Sequence, residues 1–279
     1  MMSQSTAKLA VHDPVWTEIR DKAAQLAAVE PVLASLLYAT VLNQSRLEDA
    51  LAYLLSQRLS TVETPALAMQ QLIEAAFQDD PEIGAALRCD LVAVNERDPA
   101  CKSLLEPLLY FKGFHALQGY RIASWLLRQG RRGLALYLQS RISEVFGVDI
   151  NPAARIGRGI LIDHGTGVVI GETAVVEDGV SLMQGVTLGG TGKETGDRHP
   201  KIRKGSLIGV GAIVLGNIEI GECARVGGGS VVLINVPAHC TAAGVPAKIV
   251  GCAGSEAPAR DMQQQFDCGE GGADTDQGA

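Results

Sequence analysis

His164 stands between Asp163 and the run Gly165-Thr166-Gly167, and Asp149 lies fifteen residues before it. An imidazole can take a proton from a hydroxyl near neutral pH, and a carboxylate beside it orients the ring and stabilises the imidazolium that forms. A single histidine is more often structural than catalytic, but this spacing is close to one turn of the hexapeptide repeat that begins at Ile150. Arg198 and His199 form a second group, with Asp197 and Lys201 around them. A guanidinium in that setting can grip a carboxylate through two parallel hydrogen bonds, whereas a solvated loop histidine is the plainer reading. Asp90 lies inside the apolar stretch Leu87 to Val94 with no proline after it. It reads equally as a functional carboxylate or as part of a solvated helix face. Asp98, followed by Pro99, is most simply a helix N-cap.

Several other chemistries lack their residues. There is no G-x-S-x-G elbow, and no cysteine adjoins either histidine, so the base is expected to act directly on the substrate and not through a covalent intermediate. Gly189-Gly190 and Gly227-Gly228-Gly229 could let a phosphate or a pantetheine arm approach the backbone, but they match neither a Walker A nor a dinucleotide fingerprint, and tight corners also demand glycine. The six cysteines (Cys89, Cys101, Cys223, Cys240, Cys252, Cys268) form no C-x-x-C pair, which predicts reduced thiols, no zinc site and no disulfide. A net charge of -7, from 24 basic and 31 acidic residues, argues against a nucleic-acid partner. No apolar run is long enough to cross a bilayer, and the first twenty residues carry His12, Asp13, Glu18 and Arg20, so a cytoplasmic protein is expected.

The elements that must hold these groups obey two grammars. Up to residue 147 the chain is rich in Ala and Leu, and Asp13-Pro14, Thr64-Pro65, Asp80-Pro81 and Asp98-Pro99 read as helix starts. Leu108, Phe111, Phe114, Leu117, Ile122, Trp125 and Leu126 recur at helical spacing and predict one helix ending at Gly130. From Ile150 the period becomes six: Ile150, Ile156, Ile162, Val168, Ala174, Val180 and Val186, then Ile202, Ile208, Val214, Ile220, Val226 and Val232. That is the mark of a parallel β-helix with about 18 residues per coil. The step of sixteen residues from Val186 to Ile202 breaks the period and predicts a loop extruded from the prism. The expected class is therefore α+β: an all-helical domain over 1–147, a β-helix over 148–252, and a disordered tail over 253–279.

The stretches PLLYFKGFHALQGYRIASWL, VDINPAARIGRGILIDHGTGVVIGETAV, VTLGGTGKETGDRHPKIR and TAAGVPAKIVG together resemble the bacterial serine O-acetyltransferase family, and the resemblance runs from about Val15 to Gly251. It implies a left-handed β-helix, trimers with active sites between adjacent subunits, and usually a hexamer joined through the helical domains. It implies acetyl transfer from acetyl-CoA, as co-substrate with no tightly bound cofactor, to the hydroxyl of L-serine, the first step of cysteine biosynthesis, with L-cysteine as feedback inhibitor. Position by position, His164 matches the general base, Asp149 its dyad partner and His199 a second active-site histidine. Asp90 and Asp163 match the acids around the serine ammonium, and Arg198 the group that meets its carboxylate. Gly190, Val210, Arg225, Gly228 and Lys248 match the coenzyme A groove. Asn151 departs from the family, which often has histidine there. Members that bind O-acetylserine sulfhydrylase insert a C-terminal isoleucine; this sequence ends Asp276-Gln277-Gly278-Ala279, so weak or absent binding to that partner is expected.

Three rival readings remain on the sequence. A sugar or antibiotic acetyltransferase of the same fold would usually lack the long helical domain. A γ-class carbonic anhydrase would need three histidines on zinc, for which His164, His199 and His239 are on offer. A non-catalytic scaffold would bind partners without thioester chemistry.

Overall fold

The structure, a computed structural model, describes residues 13–192, 195–252 and 255–264. Its first half is helical: α1 (Pro14–Val29), α2 (Pro31–Leu37), α3 (Leu47–Leu59), α4 (Ala66–Asp79), α5 (Pro81–Arg97), α6 (Leu105–Tyr110), α7 (Lys112–Arg128) and α8 (Arg132–Phe146). Two expected starts form as read. The Asp13 carboxylate accepts the Trp16 N–H and the Asp80 carboxylate accepts the Glu82 N–H, each ahead of a proline that needs no donor. At the third, Pro65 itself takes the cap position of α4, and the Thr64 hydroxyl bonds to Thr61 and Tyr137. The fourth is a correction. No helix starts at Pro99; Asp98 closes α5, and its carboxylate accepts the Ala100 N–H in a turn. The long helix expected over 108–126 is broken at Phe111 into α6 and α7, and the break shapes the site.

The second half is a prism of three parallel sheets. Face A stacks Val148–Ile150, Val168–Ile170, Thr187–Gly189, Ile213–Leu215 and Val231–Val232. Face B stacks Arg155–Ile156, Val175–Val176, Lys201–Ile202 and Glu219–Ile220. Face C stacks Leu161–Ile162, Ser181–Leu182, Leu207–Ile208, Arg225–Val226 and the hairpin Thr241–Gly244 with Ala247–Gly251. Every hexad position is buried except Ile156, which is half-buried.

The coils are not uniform, and the exceptions matter. Ile213 pairs with Val231, a regular 18-residue coil. Ile150 pairs with Ile170, which makes the first coil 20 residues, and Thr187 pairs with Ile213, which makes another 26. The strict period counted from Ile150 therefore slips between two stacked columns after Ile162. The slip is invisible in sequence because alternate residues of a strand point the same way, so Val168 and Ile170 are both buried and both aliphatic.

Two expectations beyond residue 239 are corrected. Cys240 and Cys252 form a disulfide, because the antiparallel hairpin pairs Thr241 with Gly251 and brings the flanking residues side by side. The tail is not without structure throughout: α9 (Pro258–Asp261) buries Pro258 and Ala259, and the Ser181 hydroxyl donates to the Ala259 carbonyl at 2.8 Å. Residues 265–279, which include the C-terminal Asp276-Gln277-Gly278-Ala279, lie outside the described residues. Among the described residues no helix is long and apolar enough to cross a membrane.

Candidate active site

His164 occupies the edge where face C turns into face A, in the first coil. The distance from Ile162 to Ile170 is two residues longer than the corresponding Leu182 to Leu188, so Asp163 to Gly167 form an enlarged corner. Within it His164 takes φ 55°, a left-handed conformation unusual for a residue with a Cβ. The Gly167 N–H donates to the Gly147 carbonyl at 2.8 Å, which clamps the corner to the end of α8. Gly165 is needed for close approach: a Cβ there would lie 3.0 Å from the Gly113 Cα and 3.1 Å from Val148 Cγ2. The result projects the imidazole outward, 72% exposed, with Nε2 3.8 Å from Asp163 Oδ1.

A cavity of about 480 Å³ opens beside it, between this corner and the helices. Its wall holds Asp163, His164 and Thr166 from the corner, Val94 and Asp98 from the end of α5, and Tyr110, Phe111 and Lys112 from the helix break. Burial pushes the Asp163 carboxyl up, opposed by His164, and the like charge of Asp98 adds to the rise. Lys112 donates through Nζ to the Thr166 hydroxyl.

The break at Phe111 is held by side chains. In an unbroken helix the carbonyls of Leu108 and Leu109 would accept the N–H groups of Lys112 and Gly113. Here the Leu109 carbonyl accepts from Arg58 Nη2 at 2.6 Å, and the Leu108 carbonyl lies 2.8 Å from His115 Nε2. Burial and the neighbouring Arg58 guanidinium push the His115 imidazole down to about 3, so it is neutral, with its proton on Nε2 and Nδ1 facing Arg58 Nη1 at 3.4 Å. The chain is thereby free to turn Phe111 and Lys112 towards the cavity.

The loop residues sit at the next edge, where face A turns into face B. Thr173 organises them: its hydroxyl accepts the N–H groups of Arg198 and His199, at 3.0 and 3.1 Å, and lies 2.8 Å from His199 Nδ1. Nδ1 also accepts the Thr173 N–H, which leaves the proton of the neutral ring on Nε2. The ring packs so closely over Gly171 that a Cβ there would fall 2.0 Å from it. Burial, then the charges of Arg198 and Lys201, push the His199 imidazole down. Arg198 pairs with Glu172 at 2.8 Å, Lys201 with Asp197 at 2.6 Å, and the Arg198 stem passes over Gly190.

A family model described as the N-terminal region of serine acetyltransferase matches residues 15–119. Over 252 residues the chain is 56% identical to the serine acetyltransferase of Salmonella typhimurium strain LT2, covering 90% of this chain and 92% of that protein. The chain belongs to the serine acetyltransferase family. Solved serine acetyltransferases share its fold. The Vibrio cholerae structure superposes with a TM-score of 0.90 at 58% identity, over 92% of this chain and 99% of that one. A serine acetyltransferase in complex with cysteine does so with 0.89 at 54%, over 91% and 98%. The Brucella abortus strain S19 enzyme in complex with coenzyme A gives 0.86 at 52%, over 87% and 97%.

The residues expected from the sequence divide by edge. The C–A edge carries Asp163 and His164, and below them the turns stack: Gly185, Gly211 and Gly229 donate N–H groups to the carbonyls of Thr166, Gln184 and Val210. Val210 and Gly228 are neighbours on this line, and exposed Lys248 stands opposite Ala243 in the hairpin at its far end. The A–B edge carries Gly190, Arg198 and His199. Asp149 lies on the first strand of face A, where its carboxylate accepts from Gln139 Nε2 at 2.7 Å, and Asp163 Oδ1 approaches His164 Nε2 to 3.8 Å. Asn151 opens the first A–B corner, its side-chain oxygen accepting the Ala153 N–H.

Two expected site residues are buried. Asp90 is fully buried between α5 and α7, bonded to Arg121, Gln118 and the Ile160 N–H, so its apolar surroundings signalled burial and not a ligand. Arg225 is buried in face C, with Nε 3.0 Å from the Thr241 hydroxyl. Conversely, Asp98 and Lys112 line the cavity and were missed. The sequence did hold a signal for Asp98: the residues after its proline, Ala100-Cys101-Lys102-Ser103, have no amphipathic period and start no helix. His164, His199 and His239 stand at three different edges, and among the described residues no group of three His, Cys, Asp or Glu side chains could hold a metal.

Proposed function

We propose that this protein transfers the acetyl group of acetyl-CoA to the hydroxyl of L-serine, giving O-acetyl-L-serine and CoA, in clefts completed between adjacent subunits of a trimer. The observation that carries this reading is the division of the chemistry between the two edges that flank face A. One edge bears the exposed base with a cavity holding two carboxylates, and the other bears a guanidinium and an imidazole. A threefold assembly with face A inward sets the C–A edge of each subunit against the A–B edge of the next, and the relatives' names and bound molecules agree with the chemistry.

Serine's ammonium sits against Asp98 and Asp163. Two carboxylates together favour a positive charge between them; burial, and after it the like charge of Asp98, push the Asp163 carboxyl up. Arg198 meets the substrate carboxylate from the neighbouring subunit. His164 removes the hydroxyl proton as the serine oxygen forms its bond to the thioester carbon. The tetrahedral intermediate collapses with cleavage of the carbon–sulfur bond, and the thiolate of CoA leaves and recovers the proton from the imidazolium. His199 donates Nε2–H towards the oxyanion. The pantetheine arm runs along the stacked turns past Val210 and Gly228 towards Lys248. Transfer is sequential, with both substrates bound together. L-cysteine, which differs from serine in its thiol, competes through the same ammonium and carboxylate contacts.

The test is thiol release from acetyl-CoA across a panel of hydroxyl acceptors. Parallel-line kinetics, an acetylated enzyme, or faster turnover of a sugar would each sink a part of this reading.

A further inference from the structure

We propose that the buried Asp90–Arg121 pair is a positioning device for the His164 corner, holding the strand that leads into it at a fixed height against α5 and α7. The inference rests on the acetyltransfer reading above. It starts from how the β-helix turns at the edge between faces B and C. In the third to fifth coils this corner closes on itself: the N–H of Ser206 donates to the Arg203 carbonyl, that of Ala224 to Gly221, and that of Cys240 to Pro237. By the strand register, the equivalent bond in the first coil would run from the Ile160 N–H to the Gly157 carbonyl. Instead Ile160 N donates to Asp90 Oδ1 at 3.0 Å, and the Gly157 carbonyl accepts from Arg121 Nη2 at 2.7 Å. The two side chains close the circuit, Arg121 Nε and Nη2 lying 3.0 and 2.7 Å from Asp90 Oδ2. An ion pair has been spliced into one corner of the prism.

Its location ties three walls of the cavity together. Three residues after Ile160 comes Asp163, then His164; Asp90 is on α5, which ends at Asp98; Arg121 is on α7, which begins at Lys112. The tolerance there is small, since a Cβ on Gly113 would lie 2.1 Å from the Ile162 carbonyl oxygen. Stability alone does not account for such a pair, because well-packed apolar residues commonly replace a buried ion pair without loss, whereas directional bonds to two backbone groups set position.

The experiment compares Arg121→Lys and the double variant Asp90→Leu/Arg121→Met with the parent, as purified full-length oligomers. A lysine keeps the charge opposite Asp90 but cannot fork to Gly157 as well. We expect kcat/KM for serine to fall by about tenfold or more in Arg121→Lys, mainly through KM, with the Kd of acetyl-CoA within about twofold of the parent's. In the double variant the melting temperature should stay near the parent's while the serine defect persists. A merely structural role lowers kcat through the folded fraction and leaves KM in place. Parent-like serine kinetics in Arg121→Lys, or kinetics that return with stability in the double variant, would overturn the proposal. Arg121→Lys decides alone if the double variant fails to assemble. If the parent itself transfers no acetyl to serine, the proposed function falls separately. The His164 Cε1–H NMR resonance then reads the corner: a shift in Arg121→Lys supports the positioning role, and an unmoved resonance ends it.

Discussion

Two insertions lengthen the repeat of the β-helix, and the two are built differently. The C–A corner at Asp163 to Gly167 adds two residues and is held by backbone: a left-handed His164 and a bond from Gly167 to Gly147. The A–B loop around Arg198 adds eight residues, the 26-residue coil against the regular 18, and is held by side chains, with Thr173 gathering three bonds and Glu172 pairing with Arg198. The short insertion leaves its histidine 72% exposed on a rigid corner, and the long one leaves its histidine 6% exposed under a loop. The base proposed at His164 gains from fixed geometry when it meets a mobile hydroxyl. The group proposed to meet the thioester, His199, gains from a segment whose ties are side chains that can be rearranged.

The comparison breaks most visibly at the two histidines. His164→Ala should lower kcat by about 10²-fold or more, the cost of losing a general base, with folding and oligomer intact. If the two edges work in neighbouring subunits, mixing His164→Ala with His199→Ala subunits restores activity, because each mixed trimer regains one whole site; complementation that fails in verified mixed trimers would refute the division between subunits. Asp149→Ala should act in the same direction as His164→Ala, with a combined loss smaller than the product of the two if they act as one unit. Separate kinetic constants for the two single variants and the double variant measure this.

Sharper still is the contrast of two aspartates eight residues apart on one helix. Asp98→Asn should raise KM for serine by about tenfold with little change in melting temperature, as a half-buried carboxylate proposed to meet the ammonium is lost. Asp90→Asn should lower the melting temperature by several degrees, since breaking a buried pair costs about 3–5 kcal/mol. Steady-state kinetics and calorimetry on the same preparations separate them. On the loop side, Thr173→Val should reduce activity only a few-fold, by removing the hydroxyl that accepts the Arg198 and His199 N–H groups while the backbone N–H to His199 Nδ1 remains; pre-steady-state measurement of acetyl-CoA release reads that change.

The smallest effect at neutral pH belongs to His115. Its imidazole stays neutral in the folded protein down to about 3, whereas the unfolded chain takes up the proton near 6.5. Between those values the unfolded state binds one more proton, so stability falls as pH drops from about 6.5 and is independent of this group above it. His115→Gln, which can still donate to Leu108 and accept from Arg58, should remove one proton's worth of slope from the melting temperature against pH over that window.

Hexad residues, proline-marked helix starts and the extruded loop are local signals, each written in a few consecutive residues, and the groups on the prism's edges sit where those signals put them. The misread residues depended on distance in the chain. Asp90 and Asp98 look alike as aspartates on a helical stretch, but one meets Arg121, 31 residues on, and the other faces Asp163, 65 residues on. Arg225 lines a small pocket together with Gly228, and its burial there depended on the stacking of face C. The pairing of Cys240 with Cys252 depended on a hairpin that no repeat forecasts.

By itself the sequence determined the helical half and the β-helix after it, the period of the prism, the histidine on a glycine corner and the family, because periodicity and short motifs are properties of neighbouring residues. Tertiary structure decided which carboxylates face the cavity, that α6 and α7 are separate helices, and that the two histidines lie on different edges of one chain. The physical reason is that burial and pairing are set by whichever segment arrives from far along the chain. A carboxylate with four donors around it becomes part of the frame, and the same group beside an open cavity remains free to bind.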